Sequence, residues 1–125
     1  MPKFITIGYG DREGYDRTAK PVRDAAHAND DVLKDGGALM GMAGRPVQVR
    51  NHAAAHVRTE DGPYMASQLP VAGFAVIEAP TVADAIEMVS RSPCAVAYGV
   101  IEVWPLEQPS ATLDSRVTQP NESTA

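Results

Sequence analysis

Cysteine is nearly absent: Cys94 is the only one in 125 residues. No disulfide can form within the chain, and a cysteine-based metal cluster is excluded. As a lone thiol, Cys94 reads as a small apolar packing residue. Basic residues are scarce and scattered. Lys and Arg number 11 against 16 Asp and Glu, a formal charge of −5, and nowhere do they gather into the stripe that a phosphate backbone requires. Nucleic acid is therefore not an expected partner. Long apolar runs are missing too. None approaches the roughly 20 residues of a membrane span, and the run in MPKFITIGYG is too short for a signal peptide, so no membrane partner and a cytoplasmic location are expected. No glycine-rich phosphate loop, nucleophile elbow or other cofactor signature occurs, and no cofactor is expected.

What is present falls into short segments of differing period. KFITIGY, Lys3 to Tyr9, is β-branched and aromatic, and Gly10-Asp11 stops it, so it reads as a strand. From about Thr18 to Asp35 the apolar spacing is helical. Val22, Ala25, Ala26, Val32 and Leu33 share a face with one polar intruder, Asn29, and Gly36-Gly37 supplies the stop. PVQVR (Pro46 to Arg50) and AHVRT (Ala55 to Thr59) alternate with period two around NHAA, which reads as a hairpin; a single long bent strand fits nearly as well. VAGFAVIEA (Val71 to Ala79), bounded by Pro70 and Pro80, has the near-continuous apolar run of a central strand covered on both faces. Thr81, with Asp84 three residues later, opens a helix whose Val82, Ala85, Ile86 and Val89 share a face and which ends at Pro93. VAYGVIEVW (Val96 to Trp104) is the last strand, stopped by Pro105. Residues 1–106 make the domain, and 107–125 form a polar tail with little to bury.

Strand, helix, strand or hairpin, strand, helix, strand is the order of an α+β, ferredoxin-like split βαβ fold with an antiparallel sheet. Helices on one face of such a sheet leave the other open. Both parities of the later strands are apolar, Ala72, Phe74 and Val76 on one side and Gly73, Ala75 and Ile77 on the other. An apolar open face calls for a partner, so a two-fold homodimer is expected.

The ordered set EDGPY, VAGFAVIEAPTVADAIEMVSRSP and YGVIEVWP, with FITIGYGD ahead of it, resembles the YCII-related, or DGPF-domain, family over about residues 2 to 106. The resemblance implies a ferredoxin-like subunit that dimerises into an α+β barrel, in a superfamily that also holds muconolactone isomerases and small monooxygenases. It also implies His/Asp acid–base chemistry. Two departures stand out. Relatives follow the DGP-aromatic motif with a charged run, whereas no charge lies between Tyr64 and Glu78 here, which suits a less charged ligand. Relatives also place a helix histidine seven residues before a leucine; counting back from Leu33 reaches Ala26, and His27 is one residue, about 100° of helix, away.

The candidate catalytic residues are Asp61, His27 and Glu102. Asp61 opens a turn with Gly62 and Pro63, and as a carboxylate it can also act as general base or orient a histidine. His27 lies outside the apolar stripe near Arg23 and Asp31, where it is either a solvated side chain or, facing a pocket, an acid and base in turn. Glu102 shares a strand face with Tyr98, Val100 and Trp104, so it is expected to be partly buried, as a site carboxylate or in a salt bridge across the dimer. His56 and Arg58 share a strand face as a modest anion site or a plain polar edge. Tyr9, Tyr64 and Tyr98 are candidates to edge a pocket, and no metal site is expected from His27, His52 and His56.

Two functions follow. One is a small cofactor-independent lyase or isomerase that moves protons on an enolisable or aromatic small molecule, with Asp61 and a histidine as acid and base. The other is a non-catalytic dimeric module that binds a small ligand or acts in regulation.

Overall fold

A computed structural model describes residues 1–107 of the chain. They form a mixed α+β structure around a four-stranded sheet whose neighbouring strands are all antiparallel. The elements are β1 (Lys3–Tyr9), α1 (Arg12–Arg17), α2 (Lys20–Asp35), β2 (Leu39–Met42), β3 (Val47–Arg50), β4 (Arg58–Asp61), β5 (Val71–Glu78), α3 (Val82–Val89), α4 (Pro93–Val96) and β6 (Val100–Leu106). The sheet order is β2-β5-β1-β6, while among the described residues β3 and β4 pair only with each other. Beyond Glu107, the polar tail lies outside the described residues. Among these, no helix is long and apolar enough to cross a membrane.

Alternation along β1 sets the two faces of the sheet. Phe4 and Thr6 point to the covered side, where Ala75 and Ile77 of β5 and Ala85 and Val89 of α3 join Phe4 in the core. Ile77, only 1% exposed, is its largest fully buried side chain. Helix α3 starts as expected, because the Thr81 hydroxyl accepts from the Asp84 amide and donates to the Asp84 carboxylate. Its buried stripe is narrower than expected: Val82 and Ile86 lie about half exposed, and Ala85 and Val89 do the packing. The helix also ends at Val89, not at Pro93. Proline is favoured in a first helical turn, where its missing N–H is no loss, and Pro93 opens α4 instead.

A helix that the apolar pattern does not signal, α1, follows β1 directly, capped by the Asp11 carboxylate on the Gly14 amide at 2.9 Å. It lies so close to the chain near Ala97 that a β-carbon on Gly14 would come 2.4 Å from the Ala97 carbonyl oxygen. Helix α2 ends at the expected glycines. The Gly37 amide bonds the Lys34 carbonyl and the Ala38 amide bonds the Leu33 carbonyl, with Gly37 at φ 105, a paired closure that a β-carbon would strain. The buried stripe of α2 is rotated, however: Ala26 and Leu33 are buried, Arg23, Asn29 and Asp30 partly so, and Val22 and Val32 face outward. Asn29 has a reason to be there. Its side-chain nitrogen donates to the Met88 carbonyl at 3.2 Å and to Ser92 Oγ at 3.4 Å, tying α2 to the end of α3 and the start of α4.

The second strand of the main sheet is β2, in the stretch LMGM, which has no strand pattern of its own, and not the PVQVR segment. PVQVR and residues from Arg58 do pair as a ribbon, but β4 begins only at Arg58 and runs to Asp61. Strand β5 is covered on one face only, leaving Phe74 51% exposed. Strand β6 starts later than expected, because residues 93–96 are helical, and it runs through Pro105, which pairs with Phe4. An edge strand can carry proline, since only one of its sides must donate.

Candidate functional site

Register puts the chemistry of the open sheet face at one end. Ile5 and Ile7 of β1, Phe74 and Val76 of β5, Leu39 of β2, and Val100, Glu102 and Trp104 of β6 share that face, since Ile7 lies between Phe74 and Glu102 and Ile5 between Val76 and Trp104. Leu39, Phe74, Val100 and Trp104 are each more than half exposed. Across β2 and β5 the face dips into an open groove of about 350 Å³ lined by Ile5, Leu39, Phe74 and Val76 among others. A second groove of about 540 Å³ lies at the far end, between residues 1–4 and 105–107.

Two carboxylates stand on this surface: Glu78 pairs with Lys3 at 3.4 Å where β1 begins, and Glu102 is anchored towards the other end of that strand. Tyr9 Oη donates to Glu102 Oε1 at 2.8 Å, and Trp104 Nε1 donates to the same oxygen at 3.3 Å. Tyr9 follows Ile7 by two residues on β1, so its ring reaches diagonally over the strand pair to the carboxylate. The hydrogen bond to Glu102, then burial, then the repulsion of the nearby carboxylate, raise the Tyr9 phenol above its ordinary range. The phenol stays neutral and the bond intact around neutral pH. Among the described residues no hydrogen bond reaches the second carboxylate oxygen, Oε2, which can accept one.

His27 has another neighbour. Its Nε2 lies 2.8 Å from the Tyr15 hydroxyl, in a bond whose donor follows the imidazole tautomer, with the rings 5.8 Å apart. The Arg23 guanidinium sits over the Tyr15 ring at 4.9 Å, and its buried Nε has no hydrogen-bond partner among the described residues. Asp30, three residues beyond His27, is pushed up by burial, against the pull of His27 and Lys34. Burial also raises the Cys94 thiol, with Asp30 adding to it. No local pattern marks Tyr15; its place in α1, beside α2, is what makes it the partner of His27.

Asp61 and the histidines are not brought together within one chain. Asp61 ends β4 opposite Val47, and among the described residues no hydrogen bond joins it to His27, His52 or His56. The following turn closes through the Gly62 amide on the Pro46 carbonyl at 3.0 Å, with Gly62 at φ 102, where glycine is the unstrained choice. Arg58 sits on β4 opposite Arg50, but His56 is not on the strand with it: its backbone amide donates to Asn51 Oδ1 in the loop. Tyr64 is 80% exposed, with the Arg50 guanidinium 5.8 Å from its ring. Tyr98 lies outside β6 at φ 63, under the Arg17 guanidinium at 3.9 Å, and so does not share the strand face of Glu102. Compared with known proteins, the chain matches no family model and no curated relative.

Proposed function

We propose that the chain is one subunit of a ferredoxin-like homodimer of the α+β-barrel kind. In it, the open sheet faces of two copies close on each other and hold a small, weakly charged molecule beside Glu102. The strand order β2-β5-β1-β6, with α2 between β1 and β2 and α3 between β5 and β6, supports the split βαβ reading. So does the resemblance of its motifs to the YCII-related family. The observation that carries the ligand reading is the half-exposed apolar face with the Glu102 carboxylate set in it, bonded by Tyr9 and Trp104, while the other carboxylate of that face, Glu78, is paired with Lys3 at 3.4 Å. Apolar surface on such a face favours aromatic rings, and a carboxylate acceptor favours ligands with hydroxyl donors over anions. The dimeric binding module is therefore the leading reading.

A second reading, the cofactor-independent lyase or isomerase, rests on the same carboxylate. Glu102 beside a neutral phenol supplies a base and a proton donor within one hydrogen bond, a pairing suited to enolisation. Asp61 and His27 enter this reading only as residues apart from each other in one chain.

The test uses the single tryptophan. Trp104 fluorescence, followed during titration with a panel of phenols and enolisable ketones, should give a saturable change that Glu102→Gln abolishes. No saturable change with any compound, or an unaltered response in the variant, removes the binding reading. Proton NMR in deuterated solvent separates the second reading: wild-type protein should exchange the α-protons of a bound ketone, and Glu102→Gln should not.

A further inference from the structure

We infer that the polar face of the β3–β4 ribbon is an oxyanion site, in which Arg50 and Arg58 together grip the phosphate group of a small monoester. The site is separate from the Glu102 face and stands without the dimer proposed above.

Register places the two arginines side by side. Arg50 ends β3 directly opposite Arg58, which begins β4, and Gln48 lies opposite Glu60 on the same face. Like charges directly opposite on paired strands, with β-carbons about 5 Å apart, work against the pairing, and an anion held between them removes that cost. Glu60 offsets part of the charge, its carboxylate 3.8 Å from Arg50 Nη1. Arg58 is exposed and has no ion pair or hydrogen bond among the described residues. Arg50, by contrast, is partly buried and braced. Gln48 Oε1 accepts from Arg50 Nη2 at 2.8 Å, while Gln48 Nε2 donates to the Gly62 and Pro63 carbonyls at 3.2 and 3.4 Å. The Tyr64 ring stands 5.8 Å from the same guanidinium. The Gly62-Pro63-Tyr64 turn thus fixes one arginine through Gln48 and Tyr64, and leaves it with N–H donors to spare next to Arg58.

Charge selects the ligand. Residues 45–58 hold Arg45, Arg50 and Arg58, with His52 and His56 in the connection and no acid, so the +3 of this stretch sits in a chain of −5 whose remainder carries −8. Two forked guanidinium groups match the several acceptor oxygens and double charge of a phosphate monoester better than they match a single carboxylate. The same distribution excludes larger anions. Two arginines make no continuous basic track for a polyanionic backbone, and the acidic remainder of the chain repels both such a backbone and an anionic bilayer.

The experiment titrates isotope-labelled full-length protein with inorganic phosphate at low ionic strength and follows the backbone amide and arginine Nε–H signals by NMR, with acetate and anionic phospholipid vesicles as separate arms. Saturable shifts at Arg50, Arg58 and Glu60 are expected, with a dissociation constant of about 1 mM for two charge-assisted contacts. Arg58→Gln and Arg50→Gln should each weaken phosphate about tenfold or more, in spectra otherwise those of the folded protein. Arg58→Lys, which keeps the charge and loses the fork, should fall between wild type and Arg58→Gln. The inference is overturned by the lack of a saturable shift up to about 10 mM phosphate, by a response that Arg58→Gln leaves unaltered, or by acetate binding as tightly as phosphate. Vesicles that shift these signals where free phosphate does not overturn it as well.

Discussion

Replacing Phe74 with alanine tests the sheet-face dimer most directly. Phe74 is 51% exposed on the open face, opposite Ile7. A phenylalanine carries about 200 Å² of surface, so about 100 Å² per copy is left for a partner to cover. At about 25 cal/mol per Å² that is about 2.5 kcal/mol for each copy, and about 5 kcal/mol for a symmetric dimer that loses both. The dimer dissociation constant should rise by about three to four orders of magnitude. The half already covered within the subunit limits the cost to the folded monomer, so secondary structure should survive. Sedimentation velocity over a concentration series measures the shift. An association constant unchanged by Phe74→Ala refutes the claim that this face is the interface, whatever else the protein proves to do.

Ile77→Ala, at the centre of the core, should cost about 2–5 kcal/mol in urea unfolding, the range for large buried aliphatic truncations; a loss under about 1 kcal/mol would contradict the packing described. Gly14→Ala should destabilise by about 1–3 kcal/mol, as the new β-carbon meets the backbone at Ala97 and α1 must shift, and an unchanged melting temperature would show α1 to be loosely held. Tyr9 gives a pH prediction. Its pKa is raised in the folded state, so its bond to Glu102 contributes fully below the ordinary phenol range of about 10 and is lost as pH rises through the raised value. The difference between the ultraviolet titrations of wild type and Tyr9→Phe should isolate a phenol that ionises above the ordinary range, and a difference curve centred at or below about 10 would contradict the bond.

Much of the architecture was legible because it depends on local pattern. Strand β1, the Gly36-Gly37 closure, the Thr81 cap and the apolar β5 each follow from residue type and spacing within a few positions. LMGM was not legible as a strand, because four residues with a glycine among them carry little β signal; it is a strand because β5 offers it a ladder. The rotation of α2 was hidden for a related reason. Asn29 looks polar in sequence, and only the Met88 carbonyl and Ser92 hydroxyl beside it make its partial burial favourable.

The candidate site divides in the same way. Residue type and strand parity determined that Glu102 would stand among apolar neighbours on a sheet face, and that both parities of β5 would be apolar. Tertiary structure decided the partners: Tyr9 for Glu102 through the β1–β6 register, Tyr15 for His27 through a helix the sequence did not announce, and no histidine for Asp61 within its own chain. Side-chain type sets what a group can donate or accept. Which atoms come within 3 Å of it depends on contacts between residues far apart in the chain, and no local pattern encodes those.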